Sequence, residues 1–259
     1  MQNLVKTYTP FEASSYIKAM SNLRNTGLRP LSTADVIKER LEALNNKDLG
    51  LIKFWLDRYF DTTDGIAYSG DKRKVAYSPK QLLNLEPNTN LSNGALIITP
   101  DEYKDLEGEE FSVKELEKAG LGRRLSKEEV ITHPVWLALA RGDKHLLKEY
   151  RNAVFEEIKR RYNDSEGMSI YLGSEQKQPS MRAWAVDYLV SRSYAVGLNL
   201  NFIARLAGVS SKIAEGDAQN LVRTYTPEDV QSASEALKIL KGVARPEIVE
   251  PLEVLVRKA

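Results

Sequence analysis

Residues 1–12 read MQNLVKTYTPFE, and residues 219–229 read QNLVRTYTPED. From Gln2 to Pro10 the first copy differs from the second only at Lys6, which becomes Arg223. How this stretch is read decides the fold. Thr9-Pro10-Phe11-Glu12 has threonine at an N-cap, proline at the first helical position and a carboxylate at the third, so it predicts the start of a helix. Thr226–Asp229 is a near copy. Past the cap the copies match at Ser15 and Ser232, Ala19 and Ala236, and Leu23 and Leu240. That spacing of four puts the identities on one helix face. The two ends therefore read as copies of one capped-helix unit, with Leu4, Tyr8, Thr9, Leu221, Tyr225 and Thr226 as its anchors. Such units pack into the core, pair with each other or with a second subunit, or present one recognition surface of Lys/Arg and Tyr to a repeated partner.

Further helix starts follow. Thr99–Glu102, Ser112–Glu115 and Ser126–Glu129 are capping boxes, and Gly120 suits a position just past a helix end. Lys144–Tyr162 carries Leu147, Tyr150, Val154, Ile158 and Tyr162 on one stripe. The other predicted helices are 10–24, 33–46, 48–60, 134–141, 180–196, 200–207, 218–224, 227–242 and 246–257. Strand signals are fewer. Ile66–Tyr68 and Val75–Tyr77 flank a basic tip and read as a hairpin, and 95–99 and 168–172 are short candidates. The expected fold class is α+β and predominantly α-helical, with a small β-hairpin or sheet in the middle of the chain and similar capped-helix units at both termini. Three segments are expected: a helical 1–62, a small α/β 63–125 and a helical 126–259, the last able to form one domain with the first. Residues 85–121 hold three lysines against nine acidic residues, which marks the middle segment as acidic.

Composition narrows the function classes. The 259 residues are 42% hydrophobic and 28% charged, with formal net charge +1 and no cysteine. Disulfides and thiolate chemistry are excluded, and no global field draws the chain to nucleic acid or an anionic surface. No apolar signal region follows Met1, and the longest apolar runs, Val135–Ala140 and Ala95–Ile98, are too short to span a bilayer. A soluble, cytoplasmic protein with no membrane partner is expected. The two histidines, His133 and His145, have no thiolate neighbours, so no metal and no cofactor is expected. Asp61-Thr62-Thr63-Asp64-Gly65 resembles the start of a calcium loop but lacks the closing glutamate, and reads as a helix end followed by a turn. Phosphate-loop, dinucleotide and nucleophile-elbow patterns are absent from the sequence. The default reading is a non-enzymatic binding or assembly protein whose partner is a protein or a second copy of itself.

Two resemblances point to nucleic acid instead. Residues 201–222, NFIARLAGVSSKIAEGDAQNLV, resemble a helix-turn-helix, with Gly208 at the turn and Arg205, Ser210, Ser211 and Lys212 as contacts to DNA. Gly216 and Asp217 interrupt its second helix. A looser resemblance is to tyrosine recombinases. Thr26-Gly27-Leu28-Arg29, Lys72 or Lys74, Arg182, Leu206-Ala207-Gly208 and Tyr225 fall in that family's order. It implies a tyrosine nucleophile with arginines on the scissile phosphate. Pro179 and Val209 stand where the family has histidines.

Overall fold

Thr7–Ala13 is not a helix start but a strand, β1. It pairs antiparallel with Ala204–Ser210, in the register Pro10 to Ala207 and Glu12 to Arg205. Proline has no N–H to give a ladder, and β1 tolerates it because it lies at the edge of a three-stranded sheet. The helix begins six residues later than its predicted start at 10. Ser15 is its N-cap, its hydroxyl accepting from the Lys18 N–H. The computed structural model describes residues 7–163, 167–173, 177–187 and 193–210. Leu4, Leu221, Tyr225 and Thr226 lie outside them, as do the helices predicted beyond 210. Lys6–Ser211 forms one compact unit.

After β1 the chain runs through α1 (Tyr16–Asn25), β2 (Arg29–Pro30), α2 (Thr33–Asn46) and α3 (Leu49–Leu56). Next come β3 (Phe60–Ser69), β4 (Lys72–Ala76), α4 (Lys80–Leu83), β5 (Leu91–Ser92) and β6 (Ala95–Ile97). Then follow α5 (Pro100–Asp105), β7 (Gly108–Ser112), α6 (Val113–Ala119), α7 (Lys127–Val130), α8 (Pro134–Leu139) and α9 (Lys144–Tyr162). The described chain closes with β8 (Met168–Tyr171), β9 (Ser180–Val186), β10 (Ser193–Leu198) and β11 (Ala204–Ser210). One sheet has three strands in the order β1-β11-β2. The other has eight, with β5-β6-β9-β3-β4-β7 as its path and β10 bridging β9 to β8. Pairing is antiparallel except between β8 and β10.

The predominantly helical fold class is therefore corrected: this is a mixed α/β fold organised by two sheets, and its strands are not confined to the middle of the chain. The predicted helices at 180–196 and 200–207 are largely strands β9, β10 and β11. The reason is burial on both sides. Ile66, Tyr68, Val75 and Trp184 face a core shared with α2, α8 and α9. Ala67, Ala76, Met181 and Ala183 face a second core built with α1. A strand covered on both faces has no solvent side, so it loses the two-residue alternation that marks it in sequence. Trp55, Phe60, Val186, Ala207 and Val209 form a third cluster between the sheets and α3. Among the described residues no helix is long and apolar enough to cross a membrane.

Arg40 of α2 is fully buried. Its guanidinium donates to the carbonyls of Trp55, Arg58 and Val186 and to the Tyr150 hydroxyl, at 3.0–3.2 Å. One side chain thus ties α2 to α3, β9 and α9.

Candidate functional site

Strand β3 breaks its register with β9 between Asp61 and Gly65. The irregular stretch Asp61-Thr62-Thr63-Asp64 is almost wholly buried, although every residue in it is polar. Buried polar groups need partners, and here each partner belongs to a different element. The Thr62 hydroxyl donates to the Trp184 carbonyl, and the Thr62 carbonyl accepts from the Tyr16 hydroxyl. The Thr63 N–H donates to the Leu31 carbonyl. Gly65 follows because a Cβ there would lie 2.9 Å from the Met181 sulfur and 3.0 Å from a Leu82 methyl.

Asp64 has no exposed surface and organises what lies above it. One carboxylate oxygen accepts from the Thr33 N–H at the start of α2, at 2.8 Å. The other accepts from the Ser78 N–H at 3.1 Å and from the Arg141 guanidinium at 2.5 Å. Both Ser78 and Arg141 have left-handed backbones, with φ of 44° and 58°. Such conformations are costly outside glycine and persist where surroundings hold them. Arg141 also lies over the Tyr77 ring, 4.0 Å from its centroid. The Thr63 and Ser78 hydroxyls are 2.6 Å apart.

Above Asp64 opens a cleft of ≈ 400 Å³ lined by Arg29, Pro30, Ser32, Asp35, Thr63, Ser78, Leu83 and Arg141. Asp35 closes a capping box with Ser32 and accepts from Arg29 at 2.8 Å. Burial raises the Asp35 pKa, but the bonds from Arg29 and Ser32 outweigh it, and the carboxyl titrates below its ordinary value. The cleft therefore holds two arginine–carboxylate pairs. In each pair the carboxylate is the more buried member: side-chain exposure is 58% against 25% for Arg29–Asp35, and 30% against 0% for Arg141–Asp64. What the cleft offers a ligand is mainly guanidinium N–H groups, since the Ser32 hydroxyl donates to Asp35 and those of Thr63 and Ser78 bond each other.

Asp61 sits on the far side of the same stretch. Its carboxylate accepts the Arg205 N–H at 2.8 Å. Burial pushes its pKa up to about 7, against a lowering by that hydrogen bond. A pKa raised on folding stabilises the fold fully below the unfolded value near 4, and that stability is lost as pH rises through 7. Between pH 5 and pH 8 the protein should lose about 2–3 kcal/mol from this group. Asp61→Asn should remove that slope, so the gap between the urea midpoints of variant and parent, variant minus parent, should be larger at pH 8 than at pH 5 by about 2–3 kcal/mol in stability.

The residues predicted as sites fall elsewhere. Arg205, expected on a helix facing DNA, is on β11, and its guanidinium pairs with Glu12 across the β1 register and lies over the Tyr59 ring. Glu12, expected in a helix cap, is thus its partner. The first helix of the helix-turn-helix reading is a strand. Ser210 ends that strand opposite Thr7, and Ser211 and Lys212 lie outside the described residues. Tyr8 and Thr9 pair with Val209 and Gly208. The Tyr8 ring meets Trp55 edge-on, its hydroxyl donates to Glu39, and burial together with Glu39 raises its pKa. Of the recombinase-like set, Lys72 pairs with Glu110 at 2.7 Å. Lys74 donates to the carbonyls of Tyr103, Lys104 and Leu106 around the end of α5. Arg182 donates to the Asn93 carbonyl, and among the described residues of the set only Arg29 lines the cleft. Ser32 is marked only as a helix cap, and Thr63, Ser78 and Arg141 carry no local motif. The one available signal was the pair of aspartates in DTTDG, which reads as a turn.

No protein-family model matches this chain, and no curated protein matches it. Among solved structures, the chain is similar to one described as "Accommodation of massive sequence variation in Nanoarchaeota by the C-type lectin fold". The TM-score is 0.62 at 18% identity, over 79% of this chain and 98% of that one. At that identity the likeness is one of fold: the described unit resembles the C-type lectin fold.

Proposed function

We propose that this chain is a non-enzymatic binding protein, with the cleft between Arg29 and Arg141 as its ligand site. The observation that carries the reading is Arg141, a partly exposed guanidinium fixed from beneath by a fully buried carboxylate and from the side by Tyr77. Fixing a donor before the ligand arrives lowers the ordering cost of binding. Left-handed backbone at both Ser78 and Arg141 fits the same reading, since such strain collects at ligand clamps. A cleft of this size suits a small polar molecule. Likeness to a fold described as accommodating massive sequence variation supports a scaffold role, in which sheets hold the shape and loop side chains choose the ligand.

The test is amide NMR of the labelled protein against a panel of small polar molecules. Binders should shift resonances of Thr63, Ser78 and Arg141 together and leave β7 and α9 unmoved. Binders whose shifts all map away from the cleft would overturn the assignment.

A further inference from the structure

We infer that the cleft selects an oxyanion, a carboxylate or phosphate group carried on a small polar ligand, and seats it between Arg29 and Arg141. This rests on the reading of the cleft as the binding site and names its ligand chemistry.

Asp64 is buried and already accepts from Thr33, Ser78 and Arg141. One Asp35 oxygen already accepts from Arg29, the Ser32 N–H and the Ser32 hydroxyl. Asp64 is therefore committed at both oxygens, and Asp35 keeps one oxygen outside these bonds. A guanidinium has five N–H donors and accepts nothing. Arg29 and Arg141 each direct one bond at a cleft carboxylate. The other guanidinium donors belong to residues that line the same cavity; of the hydroxyls there, Ser32 already donates to Asp35, and Thr63 and Ser78 bond each other. A donor-rich wall is matched by an acceptor-rich ligand, and a planar guanidinium suits the two oxygens of a carboxylate or phosphate. The start of α2 does not serve as the anion seat. The Thr33 N–H is taken by Asp64 and the Asp35 N–H by Ser32. Of the first-turn N–H groups only that of Ala34 is left, so side chains supply most of the donors to the anion.

Three probes on one sugar ring isolate the group: glucuronate carries a carboxylate, glucose 6-phosphate a phosphate, and glucose neither. Calorimetry and amide NMR of the full chain should show glucuronate or glucose 6-phosphate bound in the cleft at least about tenfold more tightly than glucose, the expected value of a charge-assisted contact. Which of the two binds more tightly separates carboxylate from phosphate. Arg29→Gln, at an exposed position, should keep the parent melting temperature and weaken the charged probe about tenfold. Arg141→Gln should do the same where it folds. Equal binding of all three probes at the cleft, or tight charged-probe binding that survives Arg29→Gln and Arg141→Gln, would overturn the oxyanion inference and leave the binding-site reading standing. Shifts from every probe lying outside the cleft would overturn both.

Discussion

Asp64→Ala is expected to cost about 4 kcal/mol of folding stability and to abolish the ligand binding proposed for the cleft. Removing one member of a buried ion pair typically costs about 3–5 kcal/mol, because the other charge and the orphaned donors remain. Here the orphans are the N–H groups of Thr33 and Ser78, and the Arg141 guanidinium. Each buried donor left without a partner costs about 1–3 kcal/mol. Arg141 is partly exposed, so water recovers part of its loss, and a simple sum overshoots. The backbone consequence is as large as the electrostatic one. Ser78 holds a left-handed conformation partly because Asp64 accepts its N–H, and without that bond the turn after β4 can relax. Asp64→Asn keeps the shape and one acceptor, and should lose about half as much. Urea unfolding monitored by tryptophan fluorescence gives both values. A loss under about 1 kcal/mol for Asp64→Ala would mean that Asp64 is not the organiser described above.

Arg40→Met should be nearly as damaging, at about 3–4 kcal/mol, but without a specific effect on the cleft. Methionine fills the space, so the loss reports the hydrogen bonds and not a cavity. The carbonyls of Trp55, Arg58 and Val186 would lose this donor. Arg40→Lys should retain part of the stability, because an ammonium has three donors but not the planar fork that reaches two helices and a strand end at once. Ligand affinity measured on folded Arg40→Lys should match the parent within about twofold. That contrast separates a residue that holds the fold from one that shapes the site.

The sequence was informative where structure is local. The capping boxes at Thr99, Ser112 and Ser126 start α5, α6 and α7 as expected. The stripe over Lys144–Tyr162 is α9 from end to end. The hairpin around Gly70 is β3 and β4. What failed was long-range. SMRAWAV at 180–186 mixes the helix formers Met181, Arg182 and two alanines with the strand formers Trp184 and Val186, and every residue is buried in a strand, so neither propensity nor alternation marks it clearly. Thr-Pro-x-Glu at Thr9–Glu12 satisfies a helix cap by composition, but pairing with β11, nearly two hundred residues on, wins. Proline permits both outcomes, since it suits a first helical turn and an edge strand alike. The site was hidden for the same reason. Arg29, Thr63, Ser78 and Arg141 come from β2, the broken part of β3, the turn after β4 and the turn after α8. The local β3–β4 hairpin brings Thr63 to Ser78, but Arg29 and Arg141 reach them from elements far away in sequence. Asp64 was visible as a carboxylate beside a glycine, and nothing nearby in sequence shows that Thr33 and Arg141 would be its partners.

A crystal structure of the protein grown with glucuronate or glucose 6-phosphate tests the central claim most directly. The account predicts the ligand's charged oxygens within hydrogen-bond distance of the Arg29 and Arg141 guanidiniums, with Arg141 still bonded to Asp64 and Ser78 still left-handed. An unoccupied cleft at saturating ligand, with Arg141 swung away from Asp64, would contradict it.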